Sequence, residues 1–139
     1  MRFDPSIAAQ ESFRRAQETG ELGEDLDTAC QAEEIFSSNA GEDAKAAYET
    51  LQRLGERHPT GRAFQEFLIY ITWQQAAEET IPVHFQNGLE RCERYLERWP
   101  HGDEIQCRRI EELRASFRAG LGLEEEDDEY DKDTFKGGD

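Results

Sequence analysis

A signature of glutamate, arginine, proline and glycine occurs twice in this chain at one constant offset, and it constrains the fold more than any other feature. The first copy is Glu49, Arg53, Glu56, Arg57, Pro59 and Gly61. The second is Glu90, Arg94, Glu97, Arg98, Pro100 and Gly102. Every spacing is kept without a gap, and Gln65/Gln106 and Ile69/Ile110 continue the match downstream. Repetition at a period of roughly 20–50 residues marks a stacked-repeat architecture, because one such unit cannot bury its apolar face alone.

The segments around the signature read as helices. Ala44, Ala47, Tyr48, Leu51 and Leu54 recur at three- and four-residue steps, which predicts a helix over 43–58 that Pro59 and Gly61 break. Over 62–80, Phe64, Phe67, Leu68, Ile69, Tyr70, Ile71 and Trp73 make a helix apolar almost all round, hence the most buried one. Pro82 opens a third, with Phe85, Leu89, Cys92, Tyr95, Leu96 and Trp99 as its stripe. Asp103 and Glu104 favour the start of a fourth, whose stripe is Ile105, Ile110, Leu113, Phe117 and Leu121 and which Gly120 and Gly122 end. Each unit is thus an antiparallel helix pair with a Pro-x-Gly turn inside it. A decayed copy is expected at the front: Gly20 precedes Gly61 by the offset that separates Gly61 from Gly102, and Ile7 and Phe13 fall in register with Tyr48 and Leu54. Its helices would be 5–18 and 25–37. The fold class is therefore all-α, with two to three stacked antiparallel hairpins in a domain over 1–121: clear repeats at 43–80 and 82–121, a degenerate one within 1–40, and an acidic tail at 122–139. Phe67, Leu68, Ile71, Leu89, Ile110 and Leu113 should be among the least exposed residues.

Apolar residues are scarce but concentrated. Phe, Ile, Leu and Val number 26, near the level at which a chain of net charge −16 fails to fold, yet 17 of them lie within 44–121. Charge follows the opposite pattern. Residues 1–43 carry eleven acids against three bases and 122–139 nine against two, while 44–121 hold twelve against eleven. Such acidity repels phosphate, which argues against general binding to nucleic acid or anionic membrane. The opening MRFDPSIAAQ lacks the apolar run of a secretory signal, and no stretch has the roughly 18 apolar residues of a membrane span. A cytoplasmic location is expected. Cys30, Cys92 and Cys107 stand at no metal-ligand spacing and read as reduced, half-buried thiols.

The helix-pair pattern around ERHPTG and ERWPHG resembles the tetratricopeptide-like superfamily, most closely the units whose first helix ends in a YP-x-S-type turn, as in periplasmic assembly-factor lipoproteins. The resemblance covers about residues 43–121. It implies a scaffold that binds protein segments in a groove and has no catalysis of its own.

Residues four apart share a helix face, so Glu49/Arg53/Arg57 and Glu90/Arg94/Arg98 each line one face, opposite the apolar stripe of their helix. Stacking two such helices would set Arg53, Arg57, Arg94 and Arg98 side by side as a cationic ladder, suited to carboxylates of an acidic or extended partner segment. The alternative is a solvated face held by Glu49–Arg53 and Glu90–Arg94 pairs. In the tail, Tyr130 and Phe135 could anchor a linear segment on a basic surface, either a partner's or this chain's own Arg ladder; the alternative is a solvated tail. His58, His84 and His101 share no i, i+4 spacing, so neither a metal nor a cofactor is expected. Trp73 and Trp99 read as core more readily than as a binding patch. The reading is a protein–protein adaptor or assembly factor, not an enzyme. Its rivals are an acidic inhibitor that mimics nucleic acid and occupies a DNA- or RNA-binding protein, and an enzyme whose site is assembled from scattered residues.

Overall fold

A computed structural model describes residues 3–38 and 41–122. They form six α-helices: α1 (Pro5–Thr19), α2 (Leu26–Ser38), α3 (Gly41–Arg57), α4 (Arg62–Glu79), α5 (Pro82–Arg98) and α6 (Glu104–Gly120), with a short 3-10 turn at Gly23–Asp25. No strand occurs among the described residues. The chain divides into two compact units, Met1–Gln74 and Gln75–Asp139, with the boundary inside α4.

In the first unit, α4 packs against α1 and α3. Phe13 of α1 meets Phe67 at a ring separation of 4.9 Å. From α3, the Tyr48 hydroxyl and Gln52 Nε2 both donate to Thr72 Oγ1 at 3.3 Å. Leu68 lies against Gly55. Those pairings run in opposite chain directions, so α3 and α4 form an antiparallel hairpin. Helix α2 packs on α3, with the Phe36 and Tyr48 rings 6.2 Å apart. Helix α4 is buried almost all round, as its sequence requires: Phe64, Phe67, Leu68, Ile69, Tyr70 and Ile71 are each 1% exposed or less.

The second unit is built on α5 and α6. Gly88 near the start of α5 faces Phe117 near the end of α6, and Phe85 faces Gly120, so this pair is antiparallel too. A Cβ on Gly88 would fall 2.2 Å from two atoms of the Phe117 ring. The absent side chain is what lets the ring lie against the α5 backbone. All six residues expected in the core are buried, Leu89 at 6% and the others at 1% or less.

Two stripe residues depart from expectation. Ile105 is 59% exposed, and Gln106 is buried in its place. The reason is register: 106, 110, 113 and 117 follow steps of four, three and four, whereas 105 lies five before Ile110 and points about 140° away from it. Ile7 is likewise 54% exposed, because the buried face of α1 is Ala8, Ala9, Ser12, Phe13 and Ala16. Trp99 lies one residue beyond α5, and both Trp99 and Trp73 are half-buried.

The doubled signature is repeated in the backbone. His58 N–H donates to Leu54 C=O at 3.1 Å and Gly61 N–H to His58 C=O at 3.2 Å. The equivalent residues of the second copy repeat both bonds: Trp99 to Tyr95 at 2.9 Å and Gly102 to Trp99 at 3.2 Å. The front turn is built differently. Gly20 ends α1 in the left-handed region, at φ 70°, with its N–H bonded to Gln17 C=O. That is the usual glycine stop of a helix, and Gly61 does not share it. The match of Gly20 to Gly61 is thus one of position and not of conformation.

Candidate functional site

The structure brings Arg53 and Arg57 onto one exposed face of α3, and Arg94 and Arg98 onto one exposed face of α5. Their partners are not those expected of a solvated face. Arg53 donates to Thr50 Oγ1 at 3.2 Å, and Glu90 accepts from Gln86 Nε2 at 3.1 Å. Neither Glu49–Arg53 nor Glu90–Arg94 closes to ion-pair distance. A hydroxyl or an amide one turn away competes for the same groups, and an exposed helical ion pair is worth only about 0.3–0.5 kcal/mol. Arg57 Nε reaches Asp25 Oδ2 at 3.1 Å while its side chain stays 69% exposed. The Arg98 guanidinium stands 5.7 Å from the ring centre of Trp99, a cation–π contact. Helices α3 and α5 belong to different units, so each Arg pair is a feature of its own helix. Tyr130 and Phe135 lie outside the described residues.

The Arg57 end of α3 is fixed by an acidic loop that the periodicity did not single out. Asp25 accepts from His58 Nε2 at 2.7 Å as well as from Arg57. Glu21, from the same loop, accepts from Phe64 N–H at 3.0 Å and Ala63 N–H at 3.3 Å. These amides are in the first turn of α4, where no intrahelical acceptor exists. In α6, which begins one residue later in the repeat, the third amide of the helix is capped locally, since Asp103 Oδ1 accepts from Gln106 N–H at 3.0 Å. The first repeat has Arg62 at the position of Asp103 and takes its cap from the loop that follows α1. Gly61 makes room for it, because a Cβ there would meet Glu21 Oε1 at 2.8 Å. Arg62, standing where the second copy has Asp103, was the available sequence signal.

A second missed group is Glu66, fully buried within the apolar run of α4. A lone carboxylate is too costly to bury, so a partner is required. Arg15 Nη1 of α1 supplies it at 2.8 Å, Arg62 adds an ion pair at 3.6 Å, and Ser12 and Arg15 are themselves hydrogen-bonded at 3.0 Å. This cluster ties α1 to α4.

A groove of about 520 Å³ runs between α2 and α3, lined by Thr28, Gln31, Ala32 and Ile35 on one side and Asp43, Ala46, Ala47 and Thr50 on the other. Small residues on both helices keep it open. The three cysteines are free thiols. Cys92 is fully buried on α5, and burial pushes its pKa far up, with Arg114 opposing only in part. It stays protonated and is no nucleophile at neutral pH. Among the described residues, no group of three or more His, Cys, Asp or Glu side chains could hold a metal ion, and no helix is long and apolar enough to cross a membrane.

Compared with protein-family models, with curated proteins and with solved structures, the chain matches none.

Proposed function

We propose that this chain is a non-catalytic adaptor or assembly factor, built of stacked tetratricopeptide-like helix hairpins, that holds an acidic or extended segment of another protein against Arg53, Arg57, Arg94 and Arg98. One observation carries the reading: exposed arginine pairs recur at the same positions of two helices whose following turns share the same hydrogen bonds. The glutamates one turn before Arg53 and Arg94 form no ion pair with them, and Arg57, although paired with Asp25, stays 69% exposed. A guanidinium fork left exposed in this way suits a carboxylate in a bidentate geometry. The three free thiols fit a reducing, cytoplasmic setting.

The test is charge reversal. Arg94→Glu with Arg98→Glu should abolish capture of an acidic partner from native extract, and binding to the unaltered protein should weaken as salt rises. Removing 122–139 separates the two sources of the acidic segment. If the tail masks the arginines, its loss strengthens partner binding. Binding that survives both the reversal and high salt would exclude the arginine faces.

A further inference from the structure

The groove between α2 and α3 has a chemistry opposite to that of the arginine faces. Its floor is Ala32 and Ala47, both buried, and the exposed Ala46 and Ile35 stand beside it, Ile35 at 41%. Its volume of about 520 Å³ is room for one or two large apolar side chains. Its surroundings are acidic. Asp43 lines it, and Asp27, Glu34, Glu42 and Glu49 are exposed within one helical turn of lining residues. Over residues 24–50 there are eight acids against a single base, Lys45. Arg53 reaches the groove only through its bond to Thr50.

We propose that this groove is a docking site for an amphipathic segment of a partner protein, one that seats an apolar side chain on the alanine floor and flanks it with lysine or arginine. Charge complementarity selects this occupant. An acid-rimmed groove repels a carboxylate-rich segment and concentrates a basic one, and it sets partner choice as well as encounter rate. The same argument removes the chain's own tail, whose nine acids against two bases would face like charge. Nucleic acid is removed for the same reason. An amphipathic helix laid with its apolar face in a hydrophobic groove is a known mode of recognition. The inference is independent of the arginine faces. Were both to hold, the adaptor would carry two segments of opposite charge.

The test uses two synthetic helical peptides with the same leucine spacing, one with lysine and one with glutamate on its polar face. Each is titrated into the full chain and followed through alanine and isoleucine methyl resonances. The lysine peptide should shift the methyls of Ile35, Ala32, Ala46 and Ala47 first, and the glutamate peptide should leave them in place. Ile35→Asp removes the apolar edge and Ala46→Trp fills the groove. Both positions are exposed, so both variants should retain the fold, checked by unchanged helix content. Each should weaken lysine-peptide binding at least about tenfold, a difference of about 1.4 kcal/mol. Arg94→Glu with Arg98→Glu should leave it unchanged, which separates this site from the arginine faces. The proposal would be overturned by shifts spread evenly over the acidic surface, by binding that survives both groove variants, or by seating of the glutamate peptide. Concentration-dependent shifts of the same methyls without peptide would overturn it in favour of a second copy of this chain.

Discussion

Gly88→Ala should destabilise this protein, although helix propensity alone says the reverse. In an exposed helix interior, alanine in place of glycine stabilises by about 0.5–1 kcal/mol, because glycine loses more backbone freedom on folding. Here the added methyl would stand 2.2 Å from two Phe117 ring atoms and 2.6 Å from a third, all far inside contact distance. Phe117 is fully buried, and its ring also meets Phe85 at 6.4 Å, so it has little freedom to retreat. Overpacking of a core typically costs about 1–3 kcal/mol, and three overlapping atoms place this case toward the upper end. Subtracting the propensity gain leaves a net loss of about 1–2 kcal/mol. Urea unfolding should show a lower midpoint at unchanged slope, since the surface exposed on unfolding is the same. The control is the same substitution beside Phe117→Leu. With the ring gone, Gly88→Ala should become neutral or stabilising. Stabilisation by Gly88→Ala in the unaltered background would refute the close packing of α5 on α6.

Three further outcomes are expected. Glu21→Ala removes the acceptor of two first-turn amides of α4 and should cost about 1–2 kcal/mol, with Glu21→Gln losing less, as measured by chemical unfolding. Thr80, which follows α4, is a β-branched residue at φ 52°, so Thr80→Gly should raise the unfolding midpoint by relieving about 1 kcal/mol of backbone strain. Cys92 should resist a thiol reagent until the protein unfolds, while the partly exposed Cys30 and Cys107 react in the native state. Its raised pKa means that the unfolded chain loses this proton first, so its contribution to stability is present below the ordinary thiol pKa and declines above it, near pH 9.

Most of the fold is legible in the chain because it is written locally. Three- and four-residue periodicity marks the four helices within 43–121, the repeat register pointed to the two before them, and Pro-x-Gly placed two turns correctly because proline and glycine act on their own backbone whatever surrounds them. Periodicity also found the core of α4, whose apolar run leaves no face for solvent. It failed at Ile105, where an apolar residue beside a helix start was read as part of a stripe whose geometry belongs to Gln106. The sequence could place arginines on a face but could not say what each one touches. Asp25 reaches Arg57 from the far side of α2 and α3 in the chain, and Thr50 competes with Glu49 one turn away from Arg53.

What the tertiary structure alone decided are pairings between residues distant in the chain. Glu66 stands in the apolar run of α4, and only the packing of α1 on α4 shows that it is buried and that Arg15 is its partner. Arg62 stands where the second repeat has its capping Asp103. Only the folded loop shows that Glu21 supplies the cap, through the space that Gly61 leaves open. Gly88 reads as a weak point in a helix until Phe117 is seen lying on it. The α2–α3 groove is invisible in sequence for the same reason, because it is a property of the space between two helices and not of either one. Periodicity fixes which way a side chain points, and the fold decides what it meets.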